Sequence, residues 1–496
     1  MDEQTPVLIL IALFVGALLV PTVGLARPRL AYPLTLTTLF VYALLSANGL
    51  VAVIANGPIR YHLAGWKPPI GIELNLDHLS AFVVGVLATI SLLVSVYARV
   101  VVRRELGSKE MPFYTVMLIM LVGLNGMVLT GDLFNLYVFF EISSLSGYAL
   151  MALGHRKAAV SAYRYLLMGT VGASFYLIGV AYLYALTGSL NMADVAERIP
   201  ALHTNPALLL SIVFVVVGLG LKMALFPMHL WLPDAYTYAS STATAIIAPV
   251  MTKVSAYVLI RVLYFVYDVE LFHEGVPIGA ALTWLGVAGA VVGSVMAIAQ
   301  KDLKRMLAYS SVSQVAYIAV GIGLANHYAL IGAMLHVLNH AVMKCCLFLI
   351  AGHIALQTGS TRIVVLDGLG RRMPWTFFAF TASALAMIGL PPTGGFFSKW
   401  YIVIGGIDAG QWPVVVVVVA SSLLTAVYFF RLLMRIYTAP EPEDSTGLTD
   451  PVWSMRLPVV VLGALVILFG LFNVWFVSGL LEDALPEALR VVSADS

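Results

Sequence analysis

Apolar residues in this chain fall into long blocks rather than into strand-like alternation or one-sided helical stripes. Each block runs for about twenty residues before a short polar or Gly/Pro-rich interruption, which is the length an α-helix needs to cross the hydrocarbon layer of a bilayer. The blocks lie near 5–25, 31–55, 79–98, 111–130, 133–153, 161–186, 207–238, 242–268, 279–300, 306–325, 329–356, 375–406, 414–438 and 459–481. The expected fold is therefore an all-α polytopic membrane protein of about 14 transmembrane helices. The opening residues MDEQTPV carry neither a basic stretch nor a small-residue cleavage motif, so the first helix is expected to be a retained anchor.

Composition points the same way. Of 496 residues, 61% are hydrophobic and 10% charged, against about 25% charged in ordinary soluble domains. The formal net charge is +2, which gives no basic bias toward nucleic acid. The two cysteines, Cys345 and Cys346, are adjacent in an apolar block and read as packing, because neighbouring cysteines suit neither a disulfide nor a metal site.

The lysines and arginines set the orientation. In alternate loops, one set holds eighteen of them; the other, with both termini, holds only Arg60, Lys67, Arg198 and Arg490. Basic residues mark the cytoplasmic side, so both termini are expected on the non-cytoplasmic face of a cell membrane. The stretch His155, Arg156, Lys157 reads as part of that topology signal. Five of the 27 basic residues remain, and all fall inside predicted spans: Lys222, Lys253, Arg261, Lys344 and Lys399.

Those five sit in unusual surroundings. Lys222 lies in "GLGLKMALFPMHLWLPDAY", interrupted by Pro227 and Pro233. Lys399 lies in "IGLPPTGGFFSKW", interrupted by Pro391, Pro392, Gly394 and Gly395. Proline removes a backbone donor and clashes with the preceding turn, so the seventh and twelfth helices should break at mid-depth. Such breaks are tolerated only inside protein or beside a wet cavity, and a matched pair points to a transport site in an inverted repeat. The breaks are five helices apart, and an odd number of helices per copy forces the second copy upside down. The expected units are 1–110 (helices one to three), 111–268 (helices four to eight), 279–438 (helices nine to thirteen) and 459–496 (helix fourteen and a tail). The copies are not identical, since the tenth helix has no acid where the fifth has Glu141.

Lys253 follows Pro249 in the eighth helix. In the eleventh, His336, His340 and Lys344 are spaced by four and share one helical face. A His–His–Lys stripe inside a membrane reads as a path for protons, because both side chains bind and release them. Glu141, in "LTGDLFNLYVFFEISSLSGYALMALG", costs about 2.5–3.5 kcal/mol to insert at mid-membrane unless a buried group answers it. Lys222 is the candidate partner, and such a pair would be a switch. Arg261, late in its helix, is expected to snorkel to the interface or to pair locally. Asp132 is expected to cap the fifth helix, and Asp234 to be a loop residue or a cap.

The segments "GDLFNLYVFFE", "LKMALFPMHLWLPDAY", "KDLKRMLAYSSVSQ" and "LPPTGGFFSKW" together resemble the proton-translocating antiporter family. Its members include the antiporter-like membrane subunits of respiratory complex I, of membrane-bound hydrogenases and of Mrp-type multisubunit Na⁺/H⁺ antiporters. The resemblance runs from about helix three to helix thirteen, and "TGDLFNLYVFFEI" with the chain length is most similar to the D-type Mrp subunit. It implies roles residue by residue: Glu141 as the fifth-helix glutamate, Lys222 as its partner and Lys253 as the bridging lysine. Lys344, with His340 nearby, would be the centre of the axis, and Lys399 the terminal group. It also implies no cofactor of its own, work inside a complex of other subunits, and H⁺ with Na⁺ as the ions moved. No dense set of oxygen ligands marks a sodium site here, which favours the proton path in this chain. Two other readings are a pumping subunit of an NADH dehydrogenase or hydrogenase complex, and a membrane scaffold whose buried charges only lock helices together.

Overall fold

A computed structural model describes residues 2–154, 156–269, 271, 277–440 and 448–490; His155 lies outside them, and so does the end of the 459–496 unit. The predicted blocks are helices. In chain order they are α1 (Thr5–Ala26), α2 (Ala31–Asn56), α3 (His78–Leu106), α4 (Glu110–Leu129), α5 (Leu133–Ala152) and α6 (Arg156–Thr187). Next come α7 (Pro206–Met223), α8 (Trp231–Tyr238), α9 (Ser241–Phe265), α10 (Ile278–Ile298), α11 (Leu303–Leu324) and α12 (His327–Thr358). The last are α13 (Pro374–Ile388), α14 (Gly394–Asp408), α15 (Trp412–Thr438) and α16 (Trp453–Leu471). Among the described residues twelve helical stretches are long and apolar enough to cross a membrane. One of them, 78–129, contains both α3 and α4. The pair α13 and α14 falls outside that set because each has only 15 residues. A figure of about fourteen counts α3 and α4 separately and each broken pair once.

Both breaks occur where the prolines demand them. α7 stops at Ala224, which adopts the left-handed conformation (φ 62°), and Leu225 N–H returns to Gly220 O. Carbonyls at a break at mid-depth need donors, and Leu221 O takes two, from Ala224 N–H at 3.1 Å and from the Trp231 indole N–H at 3.0 Å. α13 stops at Gly389 (φ 91°), a conformation that glycine adopts without steric cost. Gly395 then lets the two halves touch, since a Cβ there would lie 2.0 Å from Ala386 O.

The pattern also missed something. The loop between α2 and α3 folds into an antiparallel hairpin of β1 (Ile59–His62) and β2 (Glu73–Leu76), so the fold is not purely helical. Four-residue strands are too short to stand out beside twenty-residue apolar blocks; these hold together because Leu74 and Leu76 turn inward.

Loops that the basic-residue count groups together do meet. On the basic-rich face Asp234 joins Arg164 and Arg305, each at 3.3 Å, Glu105 accepts from Ser241 N, and Arg435 pairs with Asp367 at 2.7 Å. On the basic-poor face Leu74 bridges Thr130, and His327 reaches Leu489 O. Between the faces, burial grades from rim to centre. α1, α2, α6 and α15 expose about half or more of their apolar length, whereas the most apolar stretches of α9 and α12 are wholly buried. A helix apolar all round and also buried all round is a central one. These two central helices carry Lys253, His336, His340 and Lys344.

Candidate functional site: buried amines held by neutral acceptors

Lys222 occupies the last turn of α7, where the helix dipole favours a cation. The break ends the helix just beyond it, and its ammonium donates to Ser144 Oγ and, at 2.6 Å, to Tyr148 Oη on α5, with the Phe140 ring 4.6 Å away. Room for it comes from Gly169 on α6, where a Cβ would stand 1.8 Å from Tyr148 Oη and 3.0 Å from the amine.

Glu141 does not touch Lys222. The two remain within electrostatic range, but no salt bridge joins them. Lys222 is hydrogen-bonded to residues three and seven positions further along α5, and Glu141 Oε1 is buried without a hydrogen-bond partner in the protein. The expected carboxylate–lysine contact is therefore replaced by a hydroxyl cage on the same face of α5.

The second group surrounds α12. Lys344 donates to Leu307 O at 2.6 Å and to Ser310 Oγ on α11. His336 Nδ1 lies 2.9 Å from Ser398 Oγ on α14, and the His336 and His340 rings stack with centroids 5.8 Å apart. Both ring nitrogens of His340, and Nε2 of His336, lack partners in the protein. Lys399 reaches back across the second break and caps the end of α13, donating to Met387 O (2.9 Å) and Ile388 O (3.0 Å), and also to Ser422 Oγ (3.1 Å). Lys399 and Lys222 stand on opposite sides of their breaks in sequence, yet both ammonium groups sit at the carbonyl end of the first half-helix. Lys253 on α9 donates to Ala248 O (2.8 Å) and Thr252 Oγ1 (3.1 Å), within electrostatic range of His340 and Lys344.

Lys253, Lys344, Lys399, His336 and His340 are thus brought together, while Glu141 and Lys222 form a separate group. An aromatic stack of Tyr148, Tyr165, Trp231 and Tyr236 extends from Lys222 (Tyr165 to Trp231, centroids 3.7 Å). Among the described residues none of the four lysines has a carboxylate within ion-pair distance; all four are held by hydroxyls and backbone carbonyls alone.

The fifth basic residue of the predicted spans, Arg261, behaves differently. Arg261 does not snorkel: it grips Asp77 with two hydrogen bonds of 2.7 Å, a partner 184 positions away. Asp77 also caps α3 through Ser80. Burial would raise the Asp77 carboxyl, but the Arg261 guanidinium and the Ser80 donors override it and hold it below the usual carboxylate range. The pair therefore stays ionised at neutral pH, and Asp77 takes up a proton as pH falls through that lowered value. Asp132 caps α5 as expected, accepting from Asn135 N, and Asp234 sits in the first turn of α8 within its two-arginine cluster. Cys345 and Cys346 are buried free thiols. The residues that sequence reasoning missed are Ser144, Tyr148, Ser310 and Ser398. Helical phase relative to Glu141 could have flagged Ser144 and Tyr148, three and seven positions on; Ser310 and Ser398 carry no signal in the sequence.

Residues 130–425 match the family described as NADH:quinone oxidoreductase/Mrp antiporter, TM. The N-type subunit of the NADH-quinone oxidoreductase of Desulforudis audaxviator is 47% identical over 506 residues, covering 99% of this chain and 100% of that protein. The D-type subunit of the Na(+)/H(+) antiporter of Alkalihalophilus pseudofirmus is 32% identical, covering 85% and 84%. Among solved structures, a chain of the membrane-bound sulfane sulfur reductase, an archaeal respiratory membrane complex, superposes with a TM-score of 0.90 at 31% identity over 97% of both chains. A chain of the Mrp complex from Dietzia sp. gives a TM-score of 0.88 at 24% identity, over 99% of this chain and 98% of that one, a likeness of fold.

Proposed function

Because the chain belongs to the NADH:quinone oxidoreductase/Mrp antiporter membrane family, as an antiporter-like subunit, we propose that it carries protons across the bilayer along Glu141, Lys222, Lys253, His340, Lys344, His336 and Lys399. The observation that carries this reading is the neutral caging of the four lysines. A buried charge without a counter-ion is costly, so each amine is a place where a proton can be surrendered as well as held. A lysine paired directly with a carboxylate would instead have its charge held in place.

The unpartnered atoms supply the rest. Buried polar groups are satisfied by protein or by ordered water. His340 and the outer nitrogen of His336 have no protein partner, so water joins these rings to the amines on either side. Protons reach the central lysines from one face and leave from the other. Glu141 acts on Lys222 through the field rather than by contact: a change in its charge shifts how readily Lys222, and then Lys253, holds a proton. One break and one caged amine beside it fall in each of the units 111–268 and 279–438, which supports two related halves. The basic-rich face is the cytoplasmic one.

Two settings are compatible with the axis. Relatives named as D-type antiporter subunits support a multisubunit Na⁺/H⁺ antiporter. The end-to-end relative named as a quinone oxidoreductase subunit supports a pumping module driven by electron transfer. Everted vesicles holding the whole complex separate them. Proton movement triggered by added Na⁺ identifies the first setting, and movement triggered by an oxidisable electron donor identifies the second. In either, Glu141→Gln is expected to lower proton movement about tenfold or more, the equivalent of at least about 1.4 kcal/mol of coupling, with the complex intact on native gels. Unchanged movement in that variant would remove Glu141 from the path.

A further inference from the structure

On the basic-poor face the structure holds a cavity of about 520 Å³ whose walls include Glu73, Asn75, Thr130, Tyr257, Arg261 and Asp77. It is built from the β-hairpin, the α4–α5 turn, the end of α9 and the C-terminal segment, which are distant in sequence and converge on one spot. Its lining mixes apolar side chains with charged and polar ones, among them Glu73, Asp77, Arg261 and Asn75. Glu73 on its wall is 6% exposed, and Asn75 Oδ1 is buried without a partner in the protein. A second cavity of about 290 Å³ shares Pro58, Asp77, Phe265 and Arg490 with it.

The floor of the larger cavity is a closed hydrogen-bond set. Arg261 is 8% exposed and donates both terminal nitrogens to Asp77; its Nε donates to Tyr257 Oη at 3.1 Å, and Tyr257 in turn donates to Val128 O at 2.7 Å. The Phe265 ring lies 4.7 Å from the guanidinium carbon. On α9, Arg261, Tyr257 and Lys253 are spaced by four, so they descend one face in successive turns. Eight residues at about 1.5 Å of rise separate the cavity floor from Lys253 by roughly 12 Å.

We infer that this cavity is the aqueous approach from the outer face to Lys253, and that the Arg261–Asp77 pair is the latch across it. The inference rests on the proton-carrying reading above and adds a route and a gate to it. Protons can pass through exchangeable hydroxyls and water once the pair parts. Arg261 and Asp77 are positioning residues, since neither carries the proton.

Accessibility tests this without any transport assay. Cys345 and Cys346 are fully buried, so the unaltered complex in right-side-out vesicles is the blank for a charged, membrane-impermeant methanethiosulfonate reagent. Asn75→Cys, at a half-buried position on the cavity wall, is expected to be modified. Val254→Cys, one turn below Tyr257, is expected to stay unmodified in the native background and to become reactive when combined with Arg261→Gln. The milder Asp77→Asn should open it as well, which keeps the test valid if Arg261→Gln fails to assemble. Absence of reaction at Asn75→Cys would overturn the approach, and equal reaction at Val254→Cys with and without the pair would overturn the latch. A reactive Asn75→Cys together with normal proton movement in Glu141→Gln would instead count against the transport reading and leave the cavity itself standing.

Discussion

Lys222→Met is expected to abolish proton movement while leaving the complex assembled. Lys222 is 3% exposed, and its ammonium is held by two hydroxyls and an aromatic face. Methionine keeps an unbranched chain of similar length in the space that Gly169 leaves open. Replacing a buried charge with an apolar side chain of similar volume is often neutral and can stabilise by about 1–4 kcal/mol, and Ser144 and Tyr148 are left with donors of their own that other acceptors can take. A structural charge would give the opposite result, because a lock loses assembly when it is removed. Transport lower by about a hundredfold, the equivalent of about 2.8 kcal/mol, with normal assembly, identifies a working proton site. Lost assembly with proportionate loss of transport identifies a scaffold. Measuring the two side by side, by native gel and by ΔpH in vesicles, is what gives the variant its value.

Gly395→Ala should do the reverse and remove the complex itself. The added methyl would lie 2.0 Å from Ala386 O and 2.7 Å from its carbonyl carbon. Both are backbone atoms at the end of α13, so no side chain can swing aside. Overpacking a well-filled interior costs about 1–3 kcal/mol and sometimes more, and here the only relief is to separate the two half-helices. That movement would also pull Lys399 from Met387 O and Ile388 O and take Ser398 from His336. The expected outcome is a chain that fails to accumulate in the membrane, read by quantitative immunoblot. Wild-type abundance would mean that the break is more pliable than its geometry indicates.

The membrane architecture was legible because its signals are long and redundant. Twenty-residue apolar blocks, two proline-bearing breaks and the lopsided lysine and arginine count each stand alone. Lys222, Lys253, Lys344 and Lys399 emerged by subtraction, as basic residues that no loop could claim. What surrounds them did not emerge, for a physical reason. A cage made of Ser144 and Tyr148, or of Leu307 O and Ser310, uses groups present on every helix, and only tertiary packing decides which of them face an amine. The same blindness explains the misplaced contact. Opposite charges on α5 and α7 invite pairing on paper, yet helix phase turns Lys222 toward Ser144 and leaves Glu141 three residues away along α5. It also explains Arg261, whose partner Asp77 lies at the mouth of α3, beyond the reach of any local pattern. The hairpin was lost because eight strand residues carry little weight between two membrane helices.

The central claim is that protons pass through the caged lysines in the middle of the molecule, and Lys344 is the most enclosed of them, fully buried between α12 and α11. The direct measurement is the initial rate of proton movement in vesicles carrying the whole complex with Lys344→Met, compared with the unaltered protein at equal assembled amounts. A rate at least about tenfold lower, with the complex intact, is the result this account predicts. A rate equal to that of the unaltered protein would show that protons bypass α12, and the axis described here would not be the path.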